Sequence, residues 1–440
     1  MPYSASMWDS FESVYISARN DEDCDAYVVP IPWYEYNRKG EITNSHYEGD
    51  KFPVNIPITR YDEYDLNVKR PDIIFTHNFY DDYNRVTKVD ARFYTGKLRK
   101  YTDFLAGIYY GLQFWMPKDP EKIDISVEAS YHLPSMANFD RVITYSNVDN
   151  DRFVRAWHYL LKDHNESKRQ IFTEKFVAWG SPKFDAILNL KNKHFDIPQD
   201  WQTKLYDTGG KKKTTILFCT SLAPFLKHGR NYFKKLQVIF DFFRNRTDLL
   251  CLWRPHPLML STVCSERAIL KDEYTRLIND FNKNNGIYDD TSDLHRAIYL
   301  GDAYYGDESS LIYMYLALGK PFGIIKYYSA DWTPLLTTED NTFDKVLNWQ
   351  IDNMKKADGA NIFNHNCCIW WDNFFDNNHP IEFLNCFAHY VSNQDKYPQT
   401  TEYRALKKAI FEKNVVNSDG TAGQKIYENC KNEILKRRMA

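Results

Sequence analysis

Two short stretches carry the residue types that grip anionic oxygen: Arg254 and His256 in WRPHP, and Asp307, Ser309 and Ser310 in GDESS. Guanidinium, imidazole and hydroxyl donors match phosphate oxygens in number and geometry. A serine pair entering a helix adds unpaired backbone N–H groups and the positive end of the helix dipole. An ordinary helix N-cap would show the same serines, so this stretch alone defines no ligand site. Each stretch, however, directly follows an apolar run, LLCLW in one case and DAYY in the other, and Thr220 and Ser221 close a third, TTILFC. Strand exits in a parallel sheet lie along one edge, where ligands of open α/β sheets bind. A diphosphate suits this set of donors, and phosphoryl transfer asks mainly for positioning and neutralisation of charge.

The elements that must position these residues are set by apolar periodicity. In the second half, strands are expected at Thr214 to Thr220, Leu249 to Trp253, Ile287-Tyr288 and from Ala303, separated by helical patterns at Tyr232 to Arg244, Glu266 to Asn282 and Ser292 to Tyr299. Strands spaced by such helices predict β-α-β units and a parallel sheet. The first half predicts strands at Ala26 to Ile31, Asp72 to Thr76, Asp103 to Tyr110, Phe139 to Tyr145 and Phe176 to Trp179, with a helix over Asp149 to Asp163. A helical pattern from Trp8 to Tyr15 comes almost at once, so a first strand is expected to be missing or very short, or the start codon to lie upstream. Polar turn chemistry from Lys191 to Gly210 marks a boundary. The division expected is 1–200, 201–380 and a helical tail over 381–440. In the first half His77, at a strand exit, is placed where a general base would face an interdomain cleft. Asp9, Asn78, Asp81 and His132 are the other polar groups of note there.

The totals exclude several classes. A net charge of −3 over 440 residues gives no basic field for a nucleic acid. Basic runs at Lys97 to Lys100, Lys211 to Lys213 and Lys436 to Arg438 could touch anionic lipid. The eight cysteines are scattered and read as reduced, and His365 beside Cys367-Cys368 is too little for zinc. Absence of a leader and of a long apolar run predicts a cytoplasmic protein, with at most peripheral contact at the inner membrane face. There is no G-x-G-x-x-G, no P-loop and no G-x-S-x-G, and no metal motif or cofactor is predicted.

Taken in order, MWDSFESVY, AYVVPIPWYEYNRKGEI, PDIIFTHNFYDDYNRVT, WGSPKFD, WRPHPL and GDAYYGDESSLIYMY resemble the CDP-glycerol glycerophosphotransferase family of teichoic-acid and capsule enzymes, over about residues 3 to 330. The resemblance implies a GT-B fold, two Rossmann-like domains facing across a cleft, with the nucleotide donor on the C-terminal one. The family's R-x-H-P motif falls on Arg254 and His256, and its D-x-S-S motif on Asp307, Ser309 and Ser310. The activity implied is transfer of glycerol phosphate, or a related polyol phosphate, from a CDP-activated donor to a hydroxyl of a glycan or polyol-phosphate polymer that can be lipid-linked. The better-known polymerases carry an H-G-T-P-type histidine in the first domain, and this chain has none. His77 and Asp9 stand in for it by position only. A nucleotide-sugar glycosyltransferase on the same fold, and a catalytically silent binding protein, are the alternatives.

Overall fold

Parallel pairing organises both halves of the chain. The computed structural model describes residues 1–37, 39–112, 133–160, 166–284, 286–325, 348, 351–352, 355, 370–372 and 381–439. The chain divides into two units, Met1–Asn189 with Phe411–Ala440, and Leu190–Ile410. The segment expected as one helical tail is therefore shared. Its part from Phe411 onward belongs to the first unit, because the helix Ala422–Met439 closes an apolar cluster there.

Among the described residues the first unit holds two sheets. A three-stranded antiparallel sheet is built from β1 (Trp33–Tyr36), β2 (Ile42–His46) and, beyond the next parallel strand, β4 (Thr87–Val89), in the order β2-β1-β4. The parallel sheet comprises β3 (Ile73–Thr76), β5 (Phe104–Ile108), β6 (Arg141–Thr144) and β7 (Phe176–Ala178), in that spatial order. The strand expected at Ala26 to Ile31 is reduced to a single parallel bridge between Val28 and Ile58. Pro30 and Pro32 lack the N–H groups that a ladder would use. The hairpin of β1 and β2 lies in the stretch from Trp33 to Pro57, whose polar, glycine-bearing sequence predicts a long connection, and β2 is exposed along nearly its whole length. His132, Cys367, Cys368 and the end of the helix expected to reach Asp163 lie outside the described residues.

The C-terminal helix is fastened to this unit at both ends. Asp185 accepts N–H bonds from Ala422 (3.1 Å) and Gly423 (2.7 Å) and a hydroxyl bond from Ser13 (2.7 Å). Ile426, Tyr427, Cys430 and Ile434 pack with Trp8, Phe11, Val14, Phe104 and Ile108. Farther along, Arg141 pairs with Glu433 (2.8 Å), Arg437 with Asp140 (2.8 Å), and Arg438 with Asp72 and Asp103. Those three aspartates directly precede β6, β3 and β5, so the basic end of the helix covers the N-terminal edge of the sheet. Arg99 of the earlier basic run also pairs with Asp140, at 3.0 Å. Two of the runs considered for lipid are thus partly engaged within the protein. Among the described residues no helix is long and apolar enough to cross a membrane.

Among the described residues the second unit holds one six-stranded parallel sheet. Its strands are β8 (Thr214–Thr220), β9 (Leu249–Pro255), β10 (Gly286–Tyr288), β11 (Ala303–Asp307), β12 (Phe322–Ile325) and β13 (Trp370–Asp372), ordered β10-β9-β8-β11-β12-β13. β8, β9 and β11 are apolar and almost wholly buried, as strands covered on both faces must be. The helix Arg230–Arg244 turns Tyr232, Phe233, Leu236, Ile239, Phe240 and Phe243 inward. One close approach fixes a residue type: Gly306 has φ +149°, and a Cβ there would collide with the Cys219 backbone of β8. Only glycine lets these two strands run side by side at that point.

Candidate functional site

Three neighbouring strands of the second unit, β9, β8 and β11, end at the same edge and deliver seven of the expected residues there. The exits are tied to one another directly. His256 donates its backbone N–H to the Thr220 carbonyl at 2.8 Å, joining the β9 exit to that of β8. Ser221 donates its N–H to Asp307 Oδ2 at 2.7 Å, joining β8 to β11. Thr220 itself is buried, its hydroxyl accepting from Trp253 Nε1 at 3.2 Å, so it serves the frame.

Arg254 is held more tightly than a ligand donor would be. Its Nη1 lies 2.5 Å from Asp289 Oδ2, and its Nη2 donates to the Thr291 carbonyl at 2.7 Å. Asp289 is fully buried just past β10, and it also receives the Thr291 N–H (3.1 Å) and hydroxyl (2.6 Å). The guanidinium therefore staples the β9 and β10 exits together, and two of its nitrogens are committed. His256, by contrast, is exposed. Its Nδ1 accepts the Leu258 N–H at 3.1 Å, which leaves the proton of the neutral ring on Nε2. Partial desolvation of the ring lowers its pKa from the usual 6.5, which favours the neutral form, a donor at Nε2, near pH 7.

Asp307 is not a surface carboxylate. It is 1% exposed and accepts from Tyr232 (2.5 Å) and from Lys235 (2.9 Å), whose side chain is fully buried, besides Ser221. Burial and the neighbouring carboxylate push the Tyr232 hydroxyl far above its usual pKa, so it donates. The Ser pair divides in role. Ser309 Oγ accepts from Leu311 N (3.3 Å), capping the helix Leu311–Ala317, and lies 3.1 Å from the Tyr304 hydroxyl. Ser310 is exposed, and its side chain makes no capping bond.

In the first unit His77 follows β3 as expected, but it is entirely enclosed. Tyr3 and Phe11 pack on its ring at 4.7 and 4.8 Å between centroids, and neither ring nitrogen has a hydrogen-bond partner among the described residues. Desolvation above all, then the charges of the chain's amino group and Lys183, lower its pKa well below 6.5, with Asp9 opposing. Asp9 is buried against Lys183, at 3.3 Å. Asn78 and Asp81 are engaged locally. Asn78 donates to Asp81 at 3.1 Å, and Asp81, at φ +45°, receives the Thr95 N–H and hydroxyl (3.0 and 2.6 Å).

Asp289, Tyr232, Lys235 and Lys183 do not stand out in the sequence. For Lys235 a signal exists, since it stands three residues after Tyr232 and four before Ile239, on the inward face of its helix. Asp289 is 35 residues from Arg254, and its pairing becomes visible only once β10 lies beside β9.

No family model matches the chain, and no curated protein matches it. Among solved structures it is similar to the wall teichoic acid polymerase TagF in a variant soaked with CDPG, at 14% identity and a TM-score of 0.47, covering 100% of this chain and 88% of that one. It is similar to a second TagF variant at 13% identity and a TM-score of 0.49, covering 97% and 86%. A UDP-N-acetylglucosamine 2-epimerase is similar at 12% identity and a TM-score of 0.48, covering 98% and 93%. At such identities the likeness concerns architecture and transfers no residue's role.

Proposed function

We propose that the protein is a transferase that moves glycerol phosphate, or a related polyol phosphate, from a CDP-activated donor to a hydroxyl of a cell-envelope or capsular glycan or teichoic-acid polymer. The observation that carries this reading is the convergence of His256, Ser221, Ser309 and Ser310 at three tied strand exits of the second unit. These residues include the motif positions on which the sequence resembles CDP-glycerol glycerophosphotransferases. The acceptor oxygen attacks the β-phosphorus in line, the bond to the bridging oxygen breaks, and CMP departs with that oxygen. The acceptor proton passes to a base. On this edge the role of the protein is to orient the diphosphate and to donate to the oxygens on which charge grows. The His256 Nε2–H and the Ser310 hydroxyl are the donors best placed for that work. Arg254 acts through the frame, by holding the β9 exit from which His256 projects.

The test is product release. The purified protein is incubated with CDP-glycerol and a short glycerol phosphate oligomer, and in parallel with UDP-N-acetylglucosamine, and nucleotides are separated by chromatography. Release of CMP with extension of the oligomer is expected. Release of UDP instead would overturn the reading in favour of glycosyl transfer, and binding without any product would overturn it in favour of a silent binding protein.

A further inference from the structure

Asp307 has the wrong sign for its position. The β11 exit belongs to the edge proposed to take a diphosphate, and a carboxylate beside such a ligand repels it with little solvent to screen the field. The same carboxylate cannot simply be dispensed with, because it accepts the Ser221 N–H at 2.7 Å and so ties the β8 exit to that of β11. Lys235 resolves the conflict from behind the sheet edge. It lies on the helix Arg230–Arg244, its side chain is fully buried, and its ammonium stands 2.9 Å from Asp307 Oδ1, while Tyr232 on the same helix donates to Oδ2 at 2.5 Å. Burying a lysine among Phe233, Leu236 and Ile239 gains little stability by itself, since a buried ion pair commonly does no better than apolar residues of the same volume.

We propose that Lys235 is a positioning residue that masks the charge of Asp307, so that this carboxylate can lock the two strand exits without repelling an anionic ligand. The inference rests on the diphosphate reading of the same edge. It separates two properties of Asp307, its acceptor oxygen and its charge, and assigns the second to Lys235 to cancel. Lys235 touches no ligand in this arrangement; it acts through Asp307.

The test uses the full chain with CDP and with uncharged cytidine as probes, by calorimetric titration. Lys235→Met is expected to weaken CDP binding tenfold or more while leaving cytidine binding within threefold of wild type. Lys235→Arg, which keeps the charge, should stay within threefold for both probes. Asp307→Asn keeps an acceptor for the Ser221 N–H but removes the charge, so the double variant Lys235→Met/Asp307→Asn should recover CDP binding to within threefold. If Lys235→Met does not fold, Asp307→Asn decides alone: CDP affinity equal to or above wild type supports masking, and weaker binding overturns it. Unchanged CDP binding in folded Lys235→Met, equal losses for CDP and cytidine, or no recovery in the double variant would each overturn masking and leave the diphosphate reading intact. Failure of the wild-type protein to bind CDP would overturn both together.

Discussion

Replacing Arg254 by Met separates a frame from a ligand site. The guanidinium lies 2.5 Å from Asp289, with the two side chains 9% and 0% exposed. Its removal strands a fully buried carboxylate, and losing one partner of such a pair costs about 3–5 kcal/mol. Asp289 keeps the Thr291 N–H and hydroxyl bonds, which places the expected loss toward the lower end of that range. The second unit spans Leu190–Ile410, a size at which each 1 kcal/mol shifts the melting temperature by about 2–4 °C, so a loss of about 3 kcal/mol corresponds to a shift of about 6–12 °C. Changing Asp289 to Leu in addition removes the stranded charge and should restore much of the loss. Urea unfolding monitored by tryptophan fluorescence measures both variants, since Trp253 adjoins Arg254 in β9. A stability loss below about 1 kcal/mol, together with a tenfold or greater fall in CDP affinity, would refute the assignment of Arg254 to the frame and make it a ligand residue.

The same geometry sets three other expectations. His256→Ala should lower turnover roughly 100-fold, the scale for loss of a transition-state donor, with little change in melting temperature; near-normal turnover would leave His256 only its role in the Leu258 turn. Replacing Ser309 and Ser310 together by Ala should cost about 1 kcal/mol of stability, from the Ser309 cap. If Ser310 binds the diphosphate, the same change should cost about 1.5–3 kcal/mol of CDP affinity for that charge-assisted bond, and calorimetry beside a melting curve distinguishes the two. His77 gives a pH signature. Its folded pKa lies well below the unfolded value of 6.5, so below that value the unfolded chain binds a proton that the folded chain refuses. Stability should therefore fall by up to about 1.4 kcal/mol per pH unit as pH drops below about 6.5. Denaturant curves at pH 7.5 and 5.5 should show that slope shrinking in His77→Phe, and an unchanged slope would refute it.

Local features are the ones legible in the sequence. Thr214 to Thr220 is readable because a β-branched, apolar run stands between lysines and a serine-opened helix, and the strand has those bounds. The helix Leu311–Ala317 is readable from the serine pair before an apolar run, whereas Gly306 and Asp307, which read as turn residues, are the last two residues of β11. The engagement of the polar groups is not. Arg254 looks identical in sequence whether it faces a ligand or Asp289, because the choice is made by which strand lies alongside β9. Asp307 likewise changes meaning once Lys235 is seen behind it. The hairpin of β1 and β2 escapes a search for periodicity because Thr43, Asn44 and Ser45 carry no apolar alternation. The run at Ala26 reads as a strand on its apolar residues, whereas its prolines forbid the ladder as well as ending it.

The placement of the last helix has a consequence for how the chain is made. Trp8, Phe11, Val14 and Phe104 leave the ribosome before the second unit, yet the residues that cover them, Ile426, Tyr427, Cys430 and Ile434, are synthesised only after it. About 220 residues of the second unit are translated between Asn189 and Phe411, which at about 5–20 residues per second takes about 10–45 s. Throughout that interval the first unit carries an open apolar face while the second can complete its own sheet. Because the first unit brackets the second in the chain, its apolar face stays open until the second unit has been made, and it is the nascent first unit that has most to gain from a chaperone.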